Sequence, residues 1–372
     1  MHLRPSFSAS LPYAPLALLA LAALGPAACG GGSSTTSTTS TTSATTTTTT
    51  SGTGGSSATT TTTGSGGEGG AGGATSATTS GTGGQGGGTG GSGGAGGSGG
   101  AGGSGGAGGS GGGGARVRVV AANLTSGNLQ SYDPGEGIRI LQGIHPDVIL
   151  LQEMNYGANT VNDLRSLVDQ ICGIECDYKR GTGQIPNAVV SRYPILDGGS
   201  WPDPKANNRD FAWARLDVPG AIDLWAVSVH LLTSSEAERD AEAGLLIQTF
   251  NVTIPPADFL VMGGDFNTHV RDEPALMTLS ARLSVASPYP ADGDGNTNTN
   301  TTRTKPYDWV LPSPGLRDLE VPVVIGDSQF NTGLVVDTRV YQPLDEISPA
   351  KDGDSGAANM QHMAVVRDFL LE

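Results

Sequence analysis

The octapeptide VMGGDFNT, Val261 to Thr268, breaks an apolar run, FLVM, at two glycines and then presents an acid and an amide two residues apart. Consecutive apolar positions suit a strand covered on both faces. Glycines at its end let the backbone turn or approach a ligand closely. If extended geometry continues, Asp265 and Asn267 fall on one side. The stretch reads as a central strand handing over to a site.

Runs of the same kind recur on either side: RVRVVAANL, PDVILLQEM, NAVVSRYPI, FAWARLDV, IDLWAVSVHL, YDWVLP, VPVVI and MAVVRDFLL. Helical spacing lies between them in GIRILQGI, VNDLRSLVDQI and SEAERDAEAGLLIQTF, the last opening with Ser234, Ser235 and Glu236 as caps. Strands outnumber helices, which fits two packed mixed sheets flanked by helices better than an alternating parallel sheet.

Polar residues fall at the same place on strand after strand. Asn123 ends the first and Glu153 the second, His230 follows AVSV, Asp265 and Asn267 follow FLVMGG, Asp308 opens DWVL, and His362 precedes MAVV. Singly, each is explained as a turn cap or a structural histidine. Together they suggest one rim where a ligand binds. A carboxylate such as Glu153 suits a hard divalent cation, Asn side chains donate to phosphoryl oxygens, and histidine backed by a carboxylate serves as base or positive donor. The inventory suits phosphate-ester hydrolysis.

These pieces, in this order, resemble the endonuclease/exonuclease/phosphatase superfamily, whose members include pancreatic-type deoxyribonucleases and neutral sphingomyelinases. The resemblance spans nearly all of residues 116–372. It implies a four-layer α/β sandwich and metal-dependent phosphoester hydrolysis, with Mg²⁺, or Mn²⁺ or Ca²⁺, as cofactor. By the same resemblance Glu153 is the principal metal ligand with Asn123 beside it, Asp265 orients the attacking water and Asn267 donates to phosphate. His362 is the catalytic histidine partnered by Asp308, and His230 contacts phosphate or leaving group. One position departs from the pattern: Gln361 stands before the last histidine where the family has Asp, offering a cation a carbonyl oxygen without charge. Asp352 and Asp354, upstream, are candidates to supply the missing charge.

Arg303 and Lys305, just before Asp308, are candidate phosphate contacts. The stretch DGDGNTNTN, Asp292 to Asn300, alternates oxygen side chains in the manner of a calcium loop, but Thr297 and Arg303 stand where that loop needs Gly and Glu, so it reads as a loop at the mouth of the site. Trp201, Trp213, Trp225 and Trp309 read as packing residues.

The chain is 372 residues long with a net charge of −15, and all its charged residues except Arg4 and Glu68 fall in 116–372. Such an acidic domain has no general attraction for nucleic acid, so a polyanionic substrate must be held locally, with a cation. Residues 1–29 have the layout of a secretory signal peptide ending at Cys29, whose surroundings also resemble a lipobox. Residues 30–115 are almost entirely Gly, Ser, Thr and Ala and cannot bury a core; as a flexible tether they would span roughly 50 Å. Cys172 and Cys176 suit a small disulfide in an exported protein, with a metal pair as the alternative.

Three functions follow as expectations. The first is an exported, monomeric, divalent-metal-dependent phosphodiesterase acting on nucleic acid, either secreted or held at the outer membrane by a lipid anchor. The second keeps the mechanism for a sphingomyelin-like or other phosphoester. The third is a surface binding domain weakened at Gln361.

Overall fold

The computed structural model describes residues 114–372; the leader, Cys29 and most of the Gly/Ser/Thr tract lie outside the described residues. The first strand, β1 (Ala115–Ala122), begins one residue inside the stretch read as tether.

Beside β1, the first sheet contains β2 (Val148–Leu151), β3 (Asp177–Arg180) and β4 (Ala188–Ser191). The second takes β5 (Ile195–Trp201), β6 (Phe211–Leu216), β7 (Leu224–His230), β8 (Phe259–Asp265) and β9 (Asp308–Pro312) in chain order. Three short strands follow: β10 (Glu320–Val321) and the hairpin of β11 (Val323–Ile325) and β12 (Ser328–Phe330). Then β13 (Leu334–Val336) and β14 (Ala364–Leu371) return to the first sheet, where the order is β10-β14-β1-β2-β4-β3 and β13 also pairs with β14. Both sheets mix parallel and antiparallel pairs, as β1–β2 and β7–β8 run parallel and their other neighbours antiparallel.

Side-chain alternation separates the layers. On β1, Val117, Val119 and Ala121 face the second sheet, where they meet Ala226, Val261 and Val310. Val120 and Ala122 face outward onto α1 (Glu136–Ile144) and α2 (Val161–Cys172). On β8, Leu260 and Met262 face α3 (Glu236–Thr253) and α4 (Pro274–Leu279), while Val261 faces inward. Three apolar clusters thus define four layers, helix-sheet-sheet-helix, with the central strands buried on both faces. The helices start where the chain offers caps: Thr160 and Asp163 form a reciprocal capping box on α2, and Ser235 accepts from the Glu238 N–H on α3. A short fifth helix spans Pro314–Arg317. Cys172 and Cys176 are bonded as a disulfide at the end of α2.

The two glycines of VMGGDFNT serve the junction of the sheets rather than a ligand. A Cβ at Gly263 would lie 2.5 Å from the Trp309 carbonyl oxygen and 2.8 Å from Leu150 Cδ1 on the opposite sheet. At Gly264, where φ is +138°, it would lie 2.0 Å from the Val229 carbonyl oxygen and 2.6 Å from Gln152 Nε2. Gln152 itself crosses the gap, donating to Ser228 Oγ, which donates in turn to the Leu151 carbonyl. This polar stitch joins the sheets immediately next to Glu153 and two residues before His230.

Candidate active site

Strand register sets half of the site. In the parallel pair β7–β8, His230 is opposite Asp265; in the antiparallel pair β8–β9, Asp265 is opposite Asp308. Three functional side chains therefore form one row across three adjacent strands. His230 Nε2 lies 3.2 Å from Asp265 Oδ2, and His362, held by a bridge between its backbone and Asn300, places Nε2 3.4 Å from the same oxygen. His362 Nδ1 is 3.1 Å from Asp308 Oδ2.

The other half comes from the first sheet. Asn123 follows β1, and its Nδ2 donates to Glu153 Oε1 at 3.3 Å and to Asp265 Oδ2 at 3.2 Å, joining the sheets. Glu153 follows β2 in a left-handed conformation, φ +53°, a strained geometry for Glu. Its carboxylate is held there by Thr125 Oγ1 at 2.9 Å and Gln130 Nε2 at 3.0 Å. Asn267 is also left-handed, φ +53°, because the strand ends at Asp265, whose Oδ1 accepts the Asn267 N–H. Asn267 thus reaches the rim through a turn, not by strand alternation. One of its amide hydrogens is committed to the Leu231 carbonyl, which leaves the other to donate.

Apart from the exposed Gln130 these groups are buried, and burial combined with close charges separates the proton affinities of the titratable ones. Burial alone would lower His362, but Asp308, Asp265 and Glu153 outweigh it and raise the imidazole to about 10. Burial pushes His230 well below the ordinary value, with Arg209 and protonated His362 adding to the effect. Burial also raises Glu153, and lifts Asp265 to about 6. One histidine is therefore a fixed cation and the other a neutral ring.

Several supporting residues carried no readable signal. Thr125 and Gln130 have side chains common on any surface. Arg209 donates to the His230 and Leu231 carbonyls at 2.5 and 3.1 Å, fixing the end of β7. Thr299 Oγ1 accepts the Asp308 N–H, and the Thr299 carbonyl accepts the Met363 N–H, so the 292–305 loop is sewn to both members of the His362–Asp308 pair.

Three expectations change. Arg303 is not free to meet substrate: it is largely buried, ion-paired with Asp292 at 2.7 Å and Asp337 at 2.6 Å, and bonded to two carbonyls of the 292–305 loop. Asp354 is committed to Arg139 at 2.7 Å and Asp352 is exposed, so the acidic loop adds no charge to the site. Gln361 is exposed at the mouth, in a recess of about 200 Å³ shared with Thr125 and Gln130, rather than in the buried cluster. Lys305 stays near the centre: its Nζ lies 5.8 Å from the Tyr307 ring, which packs 5.7 Å from His362. Trp309 is core, its indole N–H donating to Thr268, and Trp201, Trp213 and Trp225 stack on one another.

A divalent cation fits these residues. Asn123 Oδ1 is buried with no hydrogen-bond partner, beside the buried carboxylates of Glu153 and Asp265, and oxygen donors of this kind suit a hard ion. Asp265, Asp308 and His362 also bring ligand atoms within 4.8 Å of one another. His362, however, is a protonated partner of Asp308 and a poor ligand in that state, so Glu153, Asn123 and Asp265 are the better donor set.

A two-sheet sandwich with carboxylate, amide and imidazole groups meeting on one rim defines a class of hydrolytic centre. The profile of the Endonuclease/Exonuclease/phosphatase family matches residues 127–329, and the chain belongs to that family of phosphoester-hydrolysing enzymes. No curated protein sequence matches the chain. Similar solved structures include an endonuclease/exonuclease/phosphatase from Beutenbergia cavernae, with 19% identity, 69% of this chain and 72% of that one covered and a TM-score of 0.46. A second, from Bacteroides vulgatus, has 17% identity, coverage of 69% and 100% and a TM-score of 0.49. Truncated TDP2 from Caenorhabditis elegans has 16% identity, coverage of 68% and 97% and a TM-score of 0.42.

Proposed function

We propose that the protein is an exported, divalent-metal-dependent phosphodiesterase that cleaves nucleic acid. The observation that carries this reading is the convergence of Asn123, Glu153, His230, Asp265 and the His362–Asp308 pair at one buried rim built from both sheets. Glu153, Asn123 and Asp265 would hold the cation, which when bound offsets charge on the phosphate and on the leaving oxygen.

The chain's own groups divide the remaining work. Asp265 orients the attacking water and accepts its proton. Protonated His362, fixed by Asp308, donates to a phosphoryl oxygen whose charge grows in the transition state. Neutral His230, anchored by Arg209 through its own backbone carbonyl, donates to the phosphate or leaving group, and the free amide hydrogen of Asn267 adds a further donor. The leader and the lipobox-like Cys29 support export, with the tether holding a monomeric domain away from an outer-membrane anchor.

The test is cleavage of plasmid and single-stranded DNA by the full chain with Mg²⁺, Mn²⁺ or Ca²⁺, with and without chelator. Cleavage should stop with chelator and fall about 10²-fold or more in folded Glu153→Ala and His362→Ala variants. Release of phosphocholine from sphingomyelin without DNA nicking would replace the substrate. Absence of turnover on any phosphoester with all three ions would sink the enzymatic reading.

A further inference from the structure

Beside the catalytic rim lies an open cleft of about 890 Å³. It shares Gly127, Asn128, Leu129 and Asn359 with the smaller recess that contains Thr125 and Gln130, the two side chains that hold Glu153. The cleft is therefore continuous with the recess beside the catalytic centre. Amide side chains from Asn128, Asn155 and Gln184 line it, together with a single guanidinium, Arg180.

Arg180 belongs to the minority of arginines among the described residues that have no carboxylate partner, with Arg192, Arg209, Arg271 and Arg282, and it alone of these lines the cleft. Most of the chain's arginines are paired with carboxylates, as Arg116 and Arg118 are with Asp368, Arg139 with Asp354, Arg239 with Glu273 and Arg303 with Asp292. Others are spent internally: Arg209 on carbonyls, and Arg271 against the Tyr289 ring 4.7 Å away. Arg180, at the end of β3, is half-buried, and no carboxylate is paired with it among the described residues. Its Nε donates to the Met154 carbonyl at 3.0 Å and its Nη2 to Asn155 Oδ1 at 3.3 Å. Both partners directly follow Glu153, so the fork is held in register with the catalytic carboxylate while Nη1 remains for a ligand. Asp133, the carboxylate lining the same cleft, accepts the Gly157 N–H.

A half-buried, pre-oriented guanidinium without a carboxylate, in a domain of strongly negative charge, suits an anion delivered by the substrate. We infer that Arg180, oriented by Asn155 Oδ1 and flanked by the exposed amide of Gln184, forms a subsite for a second phosphate of a polynucleotide strand, next to the phosphodiester being cleaved. The inference rests on the phosphodiesterase reading and narrows its substrate to one carrying neighbouring phosphates. It also explains how so acidic a protein holds a polyanion: one local cation on each of two adjacent phosphates replaces a general positive surface.

The experiment is equilibrium binding by the full chain, in the His362→Ala background with Mg²⁺ so that bound ligand is not turned over. The probes are the thymidine dinucleotide TpT and its 5′- and 3′-phosphorylated forms. One added terminal phosphate should tighten binding about tenfold, a charge-assisted contact worth a factor of that order. Arg180→Gln should erase the gain. Gln184→Glu should erase it too, and because the Gln184 side chain is exposed that variant is expected to keep its fold, whatever Arg180→Gln does. No gain from either phosphate, no binding of any probe, or a gain that survives both substitutions would overturn the subsite. Failure of the phosphodiesterase reading would appear separately, as absence of TpT hydrolysis by the wild-type chain.

Discussion

Replacing Asp308 by Asn removes the carboxylate that keeps His362 charged while preserving the side chain's size. His362 stands at about 10 against an ordinary 6.5, and that displacement corresponds to about 5 kcal/mol in favour of the imidazolium. Burial opposes it, and among the carboxylates that drive it Asp308 has the largest effect, ahead of Asp265 and Glu153. Without Asp308, burial acts against two more distant charges, so His362 should titrate at or below the ordinary value. Histidine NMR of the metal-free protein would follow this directly: the wild-type resonance should stay protonated through neutrality, and that of Asp308→Asn should not. Stability should follow the same linkage. A group whose folded value is raised contributes stability that is complete below 6.5 and is lost as pH rises through about 10. Urea unfolding of the metal-free wild type should therefore weaken across that window, and the Asn variant should lack most of this slope. Turnover at pH 8 should fall about 10²-fold or more, since the positive donor is gone. A His362 titration unchanged by the substitution, or turnover within threefold of wild type, would refute the assignment of the pair.

Other expectations follow from the same geometry. Gly264→Ala places a methyl against the Val229 carbonyl at a left-handed φ and should cost about 2–4 kcal/mol in urea unfolding. Arg303→Ala leaves Asp292 buried without its ion partner; it should cost about 3–5 kcal/mol by the same measurement, while KM for DNA in the surviving folded protein stays within twofold. For Cys29→Ser, fractionation should move the protein from the membrane pellet to the soluble exported fraction, and an unchanged distribution would remove the lipid anchor from the reading.

What could be read in the chain beforehand has a physical pattern. Strands buried on both faces, such as PDVILLQEM and FLVMGG, show themselves as continuous apolar runs, and the polar residue that ends each run marks the rim. Asn123, Glu153, His230 and Asp265 are legible as rim residues in this way, and Asp308 and His362 as the polar residues that open or precede such runs, while their separate roles come from the family resemblance. The strand β5, ILDGGSW, sits at a sheet edge and is half-exposed, so it lacks that signature, as does the three-residue β13. Contacts made across the sequence gave no local signal: Arg303 looked like a free cation near Asp308 because its partners Asp292 and Asp337 lie eleven residues before it and thirty-four after it. Gly263 and Gly264 announced a close approach, but only the packed structure identified the neighbours as carbonyls of the adjacent strands together with Leu150 and Gln152 of the opposing sheet. Asn267 was placed by an extended geometry that the chain abandons at Asp265.

The position of β14 has a consequence for how this protein comes into being. It lies inside the first sheet, between β1 and the pair β10 and β13, yet follows all of them along the chain. Until residues 364–371 are available, β1 has an open flank and His362, two residues earlier, has no frame to hold it against Asp308. A polypeptide that ends before residue 364 should therefore be inert, and hydrolytic capacity should appear only when the sheet closes.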